Sequence, residues 1–133
     1  MPVIDFDTER TYEEERFSAQ EVFRTEHSKV VCGYFEPGQF IPVHVLASDV
    51  GISVRSGTSI VCEDEKKHRV SSGDVVVIEG GTARGIRANE DERLEALLVT
   101  APPPSDVEHE SVRKGIQRGE FDPTVTTTSG NRD

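Results

Sequence analysis

Short apolar runs alternate with turn residues through the middle of the chain, and this alternation predicts β-strands. Turn signals such as Pro37-Gly38 and Ser72-Gly73 recur about every 8 to 12 residues, a spacing typical of an all-β sandwich or barrel. The sequence therefore predicts a β-barrel over residues 30–101. Its expected strands are Val30–Phe35, Gln39–Leu46, Val50–Arg55, Thr58–Cys62, His68–Val70, Asp74–Ile78, Arg84–Ala88 and Arg93–Val99.

Residues 1–29 are charged and are interpreted as an N-terminal arm. Their composition is compatible with two structures. One is an arm with a single short helix, and the other is an extended strand whose Phe17 and Phe23 pack on the body. The sequence alone leaves both open.

Residues 102–133 are predicted to contain a helix followed by a flexible tail. Three consecutive prolines end the last strand, because proline cannot donate a hydrogen bond to a neighbouring strand. Ser105 and Glu108 fit a capping box, which predicts a helix from Asp106 to about Arg118. The tail from Thr124 to Asp133 has almost nothing to bury. The helix has a thin apolar stripe and is expected on the outside of the barrel; the stripe consists of Val107, Val112 and Ile116.

Length and charge narrow the functional classes. The 133 residues correspond to one domain, and 25 acidic against 15 basic residues give a net charge of −10. Such a charge repels phosphate backbones and anionic membranes, so neither nucleic acid nor a membrane is expected as a partner. The acidic N-terminus lacks the layout of a secretion signal, and no apolar run approaches the roughly 20 residues of a membrane span. A cytoplasmic protein is expected.

Two residue types add to this picture. Only 4 of the basic residues are Lys and 11 are Arg, and a very acidic, Lys-poor surface is typical of a halophilic protein. Cys32 and Cys62 lie inside apolar runs and form no CxxC pair. They are expected to be buried free thiols.

Two stretches in the barrel region resemble the conserved motifs of the cupin superfamily. Residues 37–44 (PGQFIPVH) resemble the start of the first cupin motif, which runs on to Ser56-Gly57. Residues 72–78 (SGDVVVI) resemble the Gly-Asp strand that opens the second motif, and Gly80-Gly81-Thr82 resembles its turn. The resemblance covers about residues 30–100. It implies a double-stranded β-helix, the jelly-roll barrel of that family.

The resemblance also implies where a metal would sit, since the usual cupin site has three histidines and one glutamate. Carried over to this sequence, the four positions are His44, Leu46, Val50 and Arg84. One imidazole cannot hold a divalent ion, and the guanidinium of Arg84 repels one. No metal and no cofactor are therefore expected. Two side chains are candidates for replacement donors, namely Asp49 and His68.

If the family geometry holds, His44 and Arg84 face each other across an apolar lumen. Such a lumen would suit a small anionic molecule with an apolar body, because Arg offers two parallel donors to a carboxylate or phosphate. The predicted function is binding of a small, anionic metabolite in a metal-free barrel. The residues expected to line the lumen are Phe40, Leu46, Val50, Ile52, Val54, Val76, Ile78 and Ile86.

Two other functions remain open. One is a metal-independent isomerase or epimerase that uses His44 and Arg84. The other is a protein-interaction scaffold with a filled barrel, in which Arg84 pairs with a carboxylate such as Asp49 or Glu79 and His44 bonds a backbone carbonyl. A homodimer is expected in each case, with the N-terminal arm packing on its neighbour through Phe17 or Phe23.

Overall fold

The computed structural model describes residues 3–122, and the predicted tail Thr124–Asp133 lies outside them. In this part of the chain, strands make up most of the regular structure and one helix follows them. The elements are β1 (Ser18–Arg24), β2 (Lys29–Phe35), β3 (Phe40–Val45), β4 (Asp49–Ser56), β5 (Thr58–Glu63), β6 (Lys66–Ser71), β7 (Val75–Ile78), β8 (Ala83–Ala88), β9 (Leu94–Ala101) and α1 (Asp106–Arg118).

The strands form two antiparallel sheets, which confirms the predicted all-β fold class. One sheet has the strand order β1-β2-β9-β4-β7 and the other has the order β3-β8-β5-β6. Neighbouring strands of a sheet are often far apart in the chain, as with β2 and β9. No helix of the described residues has the length and apolarity that crossing a membrane would need.

Inward-facing side chains from both sheets form the core. On β4, Val50, Ile52 and Val54 are buried and alternate with more exposed residues, as the period of two along a strand requires. The centre of the core is fully buried and includes Phe35 and Leu94. The whole cluster comprises Phe17, Phe35, Val50, Ile52, Val54, Val61, Val70, Ile78, Ile86, Ala88, Leu94 and Ala96.

The N-terminal arm adopts the extended alternative. Residues 18–24 form β1, which pairs with β2 at the edge of the five-stranded sheet. The ring of Phe17 stacks on that of Phe35 at a centroid distance of 5.0 Å. Strand pairing and this burial outweigh the local helix propensity of the charged segment. Phe17 is thus engaged within its own chain, whereas Phe23 is 39% exposed, and the homodimer stays a prediction.

The segment before β1 is anchored to the outer face of the same sheet. Glu95 on β9 is buried and accepts hydrogen bonds from Arg10 Nε at 2.6 Å and from the Tyr12 hydroxyl at 2.7 Å. The Arg10 guanidinium lowers the pKa of Glu95 below its usual range. Phe6 and Tyr12 pack beside Tyr34, whose hydroxyl donates to the Phe6 carbonyl.

Replacing Glu95 by Gln is expected to lower the free energy of unfolding by about 1.5–3 kcal/mol, because hydrogen bonds to a charged group are lost in a buried site. Urea unfolding measures this change. The matched control is Glu21→Gln, whose carboxylate pairs with Arg24 on the exposed surface and should matter by less than about 0.5 kcal/mol. Equal losses in the two variants would contradict the anchoring role of Glu95.

The predicted helix is confirmed, together with its capping box. The Ser105 hydroxyl accepts from the Glu108 backbone, the Glu108 carboxylate accepts from the Ser105 backbone, and Gly119 ends the helix in a left-handed conformation. The helix packs closely on β3, since a Cβ at Gly115 would lie 2.7 Å from Pro42 Cγ. This close approach brings one face of α1 to the end of the barrel.

Candidate functional site

A cavity of about 270 Å³ lies between the two sheets, and α1 closes one side of it. The helix contributes His109, Val112 and Arg113 to the lining. The cavity is lined by Arg16, Phe17, Ala19, Lys29, Val31, Ile41, His44, Leu46, Val50, Ile52, Arg84, Gly85, Ile86, Leu98, Thr100, Pro104, His109, Val112 and Arg113.

His44 and Arg84 both line this cavity, but they do not face each other across it. They are directly paired residues on the neighbouring strands β3 and β8 of the four-stranded sheet. The expectation of opposite walls was wrong. It rested on the order of the two cupin motifs in the sequence, which does not show that the strands carrying them are paired with His44 opposite Arg84. The two side chains instead form one polar patch on a single wall.

Ten residues are predicted to form the lumen, and six of them line the cavity, whereas Phe40 does not. The six are His44, Leu46, Val50, Ile52, Arg84 and Ile86. The pairing of β3 with β8 is irregular between Ile41 and His44, so the alternation that would place Phe40 beside His44 is broken. Ile41 lines the cavity in its place, and the Phe40 ring packs against Phe121 at 5.7 Å. Three further residues expected in the lumen belong to the core packing outside the cavity, namely Val54, Val76 and Ile78.

Arg84 is 4% exposed and is held by backbone carbonyls rather than by a carboxylate. Its Nε donates to the Thr82 carbonyl at 2.8 Å and its Nη2 to the Glu79 carbonyl at 3.0 Å. Its Nη1 is buried without a hydrogen-bond partner. Burial lowers the pKa of Arg84, although a guanidinium stays charged in proteins. The expected pairing with the carboxylate of Asp49 or Glu79 is not formed, and a buried donor is left over.

His44 is oriented by its own strand. Its Nδ1 lies 2.6 Å from the Pro42 carbonyl, and since a carbonyl can only accept, Nδ1 carries the proton. The neutral ring then has its lone pair on Nε2. Burial lowers the pKa of His44 below its usual value, and the neighbouring charge of Arg84 adds to this effect. His44 is therefore a neutral imidazole near pH 7.

Further cationic residues at the cavity were not predicted. Lys29 Nζ lies 3.5 Å from His109 Nε2, and both side chains line the cavity with Arg16 and Arg113. The polar surroundings of His109 in the sequence favour a solvated side chain, and the thin apolar stripe of α1 favours a helix on the outside of the barrel. Neither expectation includes the position of α1 in the structure, where His109 and its neighbours on the helix line the cavity.

The sequence does contain a signal for part of this set. Lys29 stands two residues before Val31, so the period of two places both on the inner face of β2. His109 and Arg113 are four residues apart and share a face of α1. The sequence could not show that this face of the helix lines the cavity.

The cavity is cationic, although the chain as a whole is strongly acidic. Within residues 3–122 the lining includes Arg16, Lys29, Arg84 and Arg113 but no Asp or Glu. Arg113 is paired with Glu110 at 2.8 Å, and both side chains are about half exposed. The remaining wall is almost entirely apolar. This arrangement favours a negative group in an apolar pocket.

Comparison with known proteins agrees with the fold and with the motifs. A family model described as "Cupin domain" matches residues 33–100, just over half of the chain. The chain belongs to the cupin family. Its two sheets are the double-stranded β-helix that the resemblance implied, and the wall formed by β3 and β8 carries both cupin motif positions, His44 and Arg84.

Solved structures of similar proteins match most of this chain. TT1209 from Thermus thermophilus is 27% identical with a TM-score of 0.75, covering 78% of this chain and 100% of its own. An RmlC-like cupin protein from Desulfovibrio desulfuricans is also 27% identical, with a TM-score of 0.69 and coverages of 77% and 98%. KdgF from a Halomonas species is 24% identical, with a TM-score of 0.65 and coverages of 76% and 95%, and shows a shared fold. No curated protein matches the chain by sequence.

The residues of this cupin do not fit the metal ion that the family site implies. Of the four family positions, only His44 carries an atom that can coordinate a metal ion. Its Nδ1 already donates a hydrogen bond to the Pro42 carbonyl. A divalent ion needs three or four nitrogen, oxygen or sulfur ligands. Arg84, paired directly with His44 across the two strands, places a fixed positive charge there instead.

The candidate replacement donors do not complete such a site. Asp49 Oδ1 accepts a hydrogen bond from the Gly80 backbone at 2.7 Å, and His68 Nε2 lies 3.0 Å from the Glu63 carboxylate. Neither lines the cavity. No cluster of three or more His, Cys, Asp or Glu able to hold a metal occurs within residues 3–122. Cys32 and Cys62 are buried free thiols, as predicted.

The lowered pKa of His44 predicts how the stability of this cupin depends on pH. Below about pH 6.5 the unfolded chain binds a proton at His44 that the folded chain does not. The free energy of unfolding should therefore decrease as the pH is lowered below about 6.5, by up to about 1.4 kcal/mol per pH unit. The decrease should end at the pKa that His44 has in the folded protein.

The test is urea unfolding of wild type and His44→Asn between pH 7 and pH 5.5. The Asn amide can donate to the Pro42 carbonyl but does not titrate, so the variant should lose less stability over this range. His27→Asn, at an exposed position, is the matched control and should follow the wild type. A His44→Asn curve parallel to the wild type would show that His44 titrates normally.

Proposed function

We propose that this protein is a metal-free cupin that binds a small, anionic metabolite in its barrel. The observation that carries the proposal is the charge of the cavity, which has cationic side chains in its lining and no carboxylate among the described residues. In a chain with a net charge of −10, such a lining is the opposite of the average surface. An anion entering the cavity would replace the water that these cations lose by burial.

Arg84 is the residue to which we assign the anion. A buried guanidinium with an unpartnered Nη1 lacks an acceptor, and a buried donor without an acceptor costs free energy. A carboxylate or phosphate oxygen would supply it. The apolar part of the wall, with Leu46, Ile52 and Ile86, would contact the body of the ligand.

The other two functions are supported differently. The cavity of about 270 Å³ between the sheets does not favour a scaffold with a filled barrel. A metal-independent isomerase or epimerase is supported by His44, since Pro42 fixes its proton on Nδ1 and leaves Nε2 as a base beside the cationic Arg84. Binder and enzyme differ in turnover, so every ligand found is to be followed by NMR for chemical change.

The first test is a thermal-shift screen of carboxylates and sugar phosphates, because a ligand that binds the folded state raises its melting temperature. For any ligand that raises it, Arg84→Met should weaken binding by about 10- to 100-fold, the loss of a hydrogen bond to a charged group. The matched control is Arg87→Met on the same strand, which lies outside the cavity and should bind as the wild type does.

Two results would overturn the proposal. One is that no anion of the panel shifts the wild type. The other is that Arg84→Met, shown to be folded by circular dichroism, binds as tightly as the wild type. If Arg84→Met does not fold, Arg84→Lys serves instead, since it keeps the charge but loses the two-pronged geometry and should bind more weakly.

A further inference from the structure

Two cations reach the cavity from opposite walls. Arg84 belongs to β8 in the four-stranded sheet, and Lys29 belongs to β2 in the five-stranded sheet. Lys29 is paired with Thr100 on β9, which also lines the cavity, and its ammonium lies beside His109 on α1. Each sheet thus contributes a cation to the cavity, in addition to Arg16 and Arg113, which also line it.

Within residues 3–122, neither of these two cations has a hydrogen bond to a carboxylate. Arg84 donates to two backbone carbonyls and has Nη1 left over. Lys29 has an imidazole nitrogen as its hydrogen-bond partner, and the nearby Glu21 bonds Arg24 through both carboxylate oxygens. Burial lowers the pKa of Lys29 as it does that of Arg84.

Much of the remaining cavity wall is apolar. Val50 and Ile52 of β4, Leu98 of β9 and Ile86 of β8 line it. A ligand with one acidic group would neutralise one cation and leave the other without a counter-charge in an apolar site, which costs free energy. A ligand with an acidic group at each end would compensate both and bury its middle against the aliphatic side chains.

We infer that the ligand of this cavity is a dianion, a short dicarboxylate with one carboxylate on Arg84 and the other on Lys29. Stacked sheets lie about 10 Å apart, so a ligand that contacts side chains from both sheets is short, and dicarboxylates of about four to six carbons cover this range. This inference rests on the proposed function, because it assigns a ligand class to the same cavity. Lys29 is then a second binding residue, and His109 accepts a hydrogen bond from its ammonium.

The test is calorimetric titration at low ionic strength, where charge interactions are least screened. The main pair of probes is glutarate and pentanoate, which have the same number of carbons and differ in one carboxylate. Succinate and adipate bracket the length. In the wild type, glutarate should bind at least about tenfold more tightly than pentanoate, one charge-assisted hydrogen bond being worth that factor.

Variants then assign each carboxylate to its wall. Lys29→Met should abolish the preference for glutarate over pentanoate, whereas Arg84→Met should weaken the binding of both. Lys66→Met, an exposed lysine outside the cavity, is the matched control and should keep the wild-type preference. The monoamide of glutarate removes the second charge from the ligand side, so the result does not depend on any variant folding.

The outcomes separate the two proposals. Equal affinity for pentanoate and glutarate would overturn the dianion inference and leave an anion-binding cavity in place. A preference for glutarate that survives in Lys29→Met would overturn it as well, because the second carboxylate would then lie elsewhere. If none of the mono- and dicarboxylates binds, the dianion inference fails, and the proposed function then stands or falls with the sugar phosphates of the thermal-shift screen.

Discussion

Two antiparallel sheets share one layer of inward-facing side chains, and this single layer forms both the core and much of the cavity wall. Phe35 and Leu94 are fully buried in the core. Phe17, Val50 and Ile52 belong to the same core cluster and also line the cavity of about 270 Å³. Because a period of two assigns every second residue to this layer, the same rule that builds the core also brings Lys29 and Arg84 into the cavity.

The charged residues of the cavity are stable there because the backbone around them supplies partners. Arg84 is held by the carbonyls of Glu79 and Thr82, from the loop that leads into its own strand. His44 is held in the same way by Pro42. These local bonds fix the orientation of both side chains without using a carboxylate. The positive charge of the wall therefore stays uncompensated, and it is this feature that makes the site suited to an anion.

The outer layers of the molecule support the same cavity from two sides. Glu95, bonded to Arg10 and Tyr12, ties the N-terminal segment to the back of the five-stranded sheet and so places Phe17 and Arg16 at the cavity. On the other side, the close contact of Gly115 with Pro42 brings α1 against β3. Segments that the sequence presents as appendages of the barrel thus complete the wall of its candidate site.

The strand pattern, the cupin motifs and the capped helix could all be predicted from the sequence, because each depends on neighbouring residues or on fixed spacing along the chain. The same holds for Leu46, Val50 and Arg84 at the positions where the family has metal ligands. That His44 and Arg84 share a wall could not be predicted, since it follows from the register of two strands that are distant in the chain. The sequence also could not predict that Phe40 lies outside the cavity because of an irregularity in the β3–β8 pairing, or that His109 lines the cavity. Register, bulges and helix docking depend on packing between distant segments, which no local pattern contains.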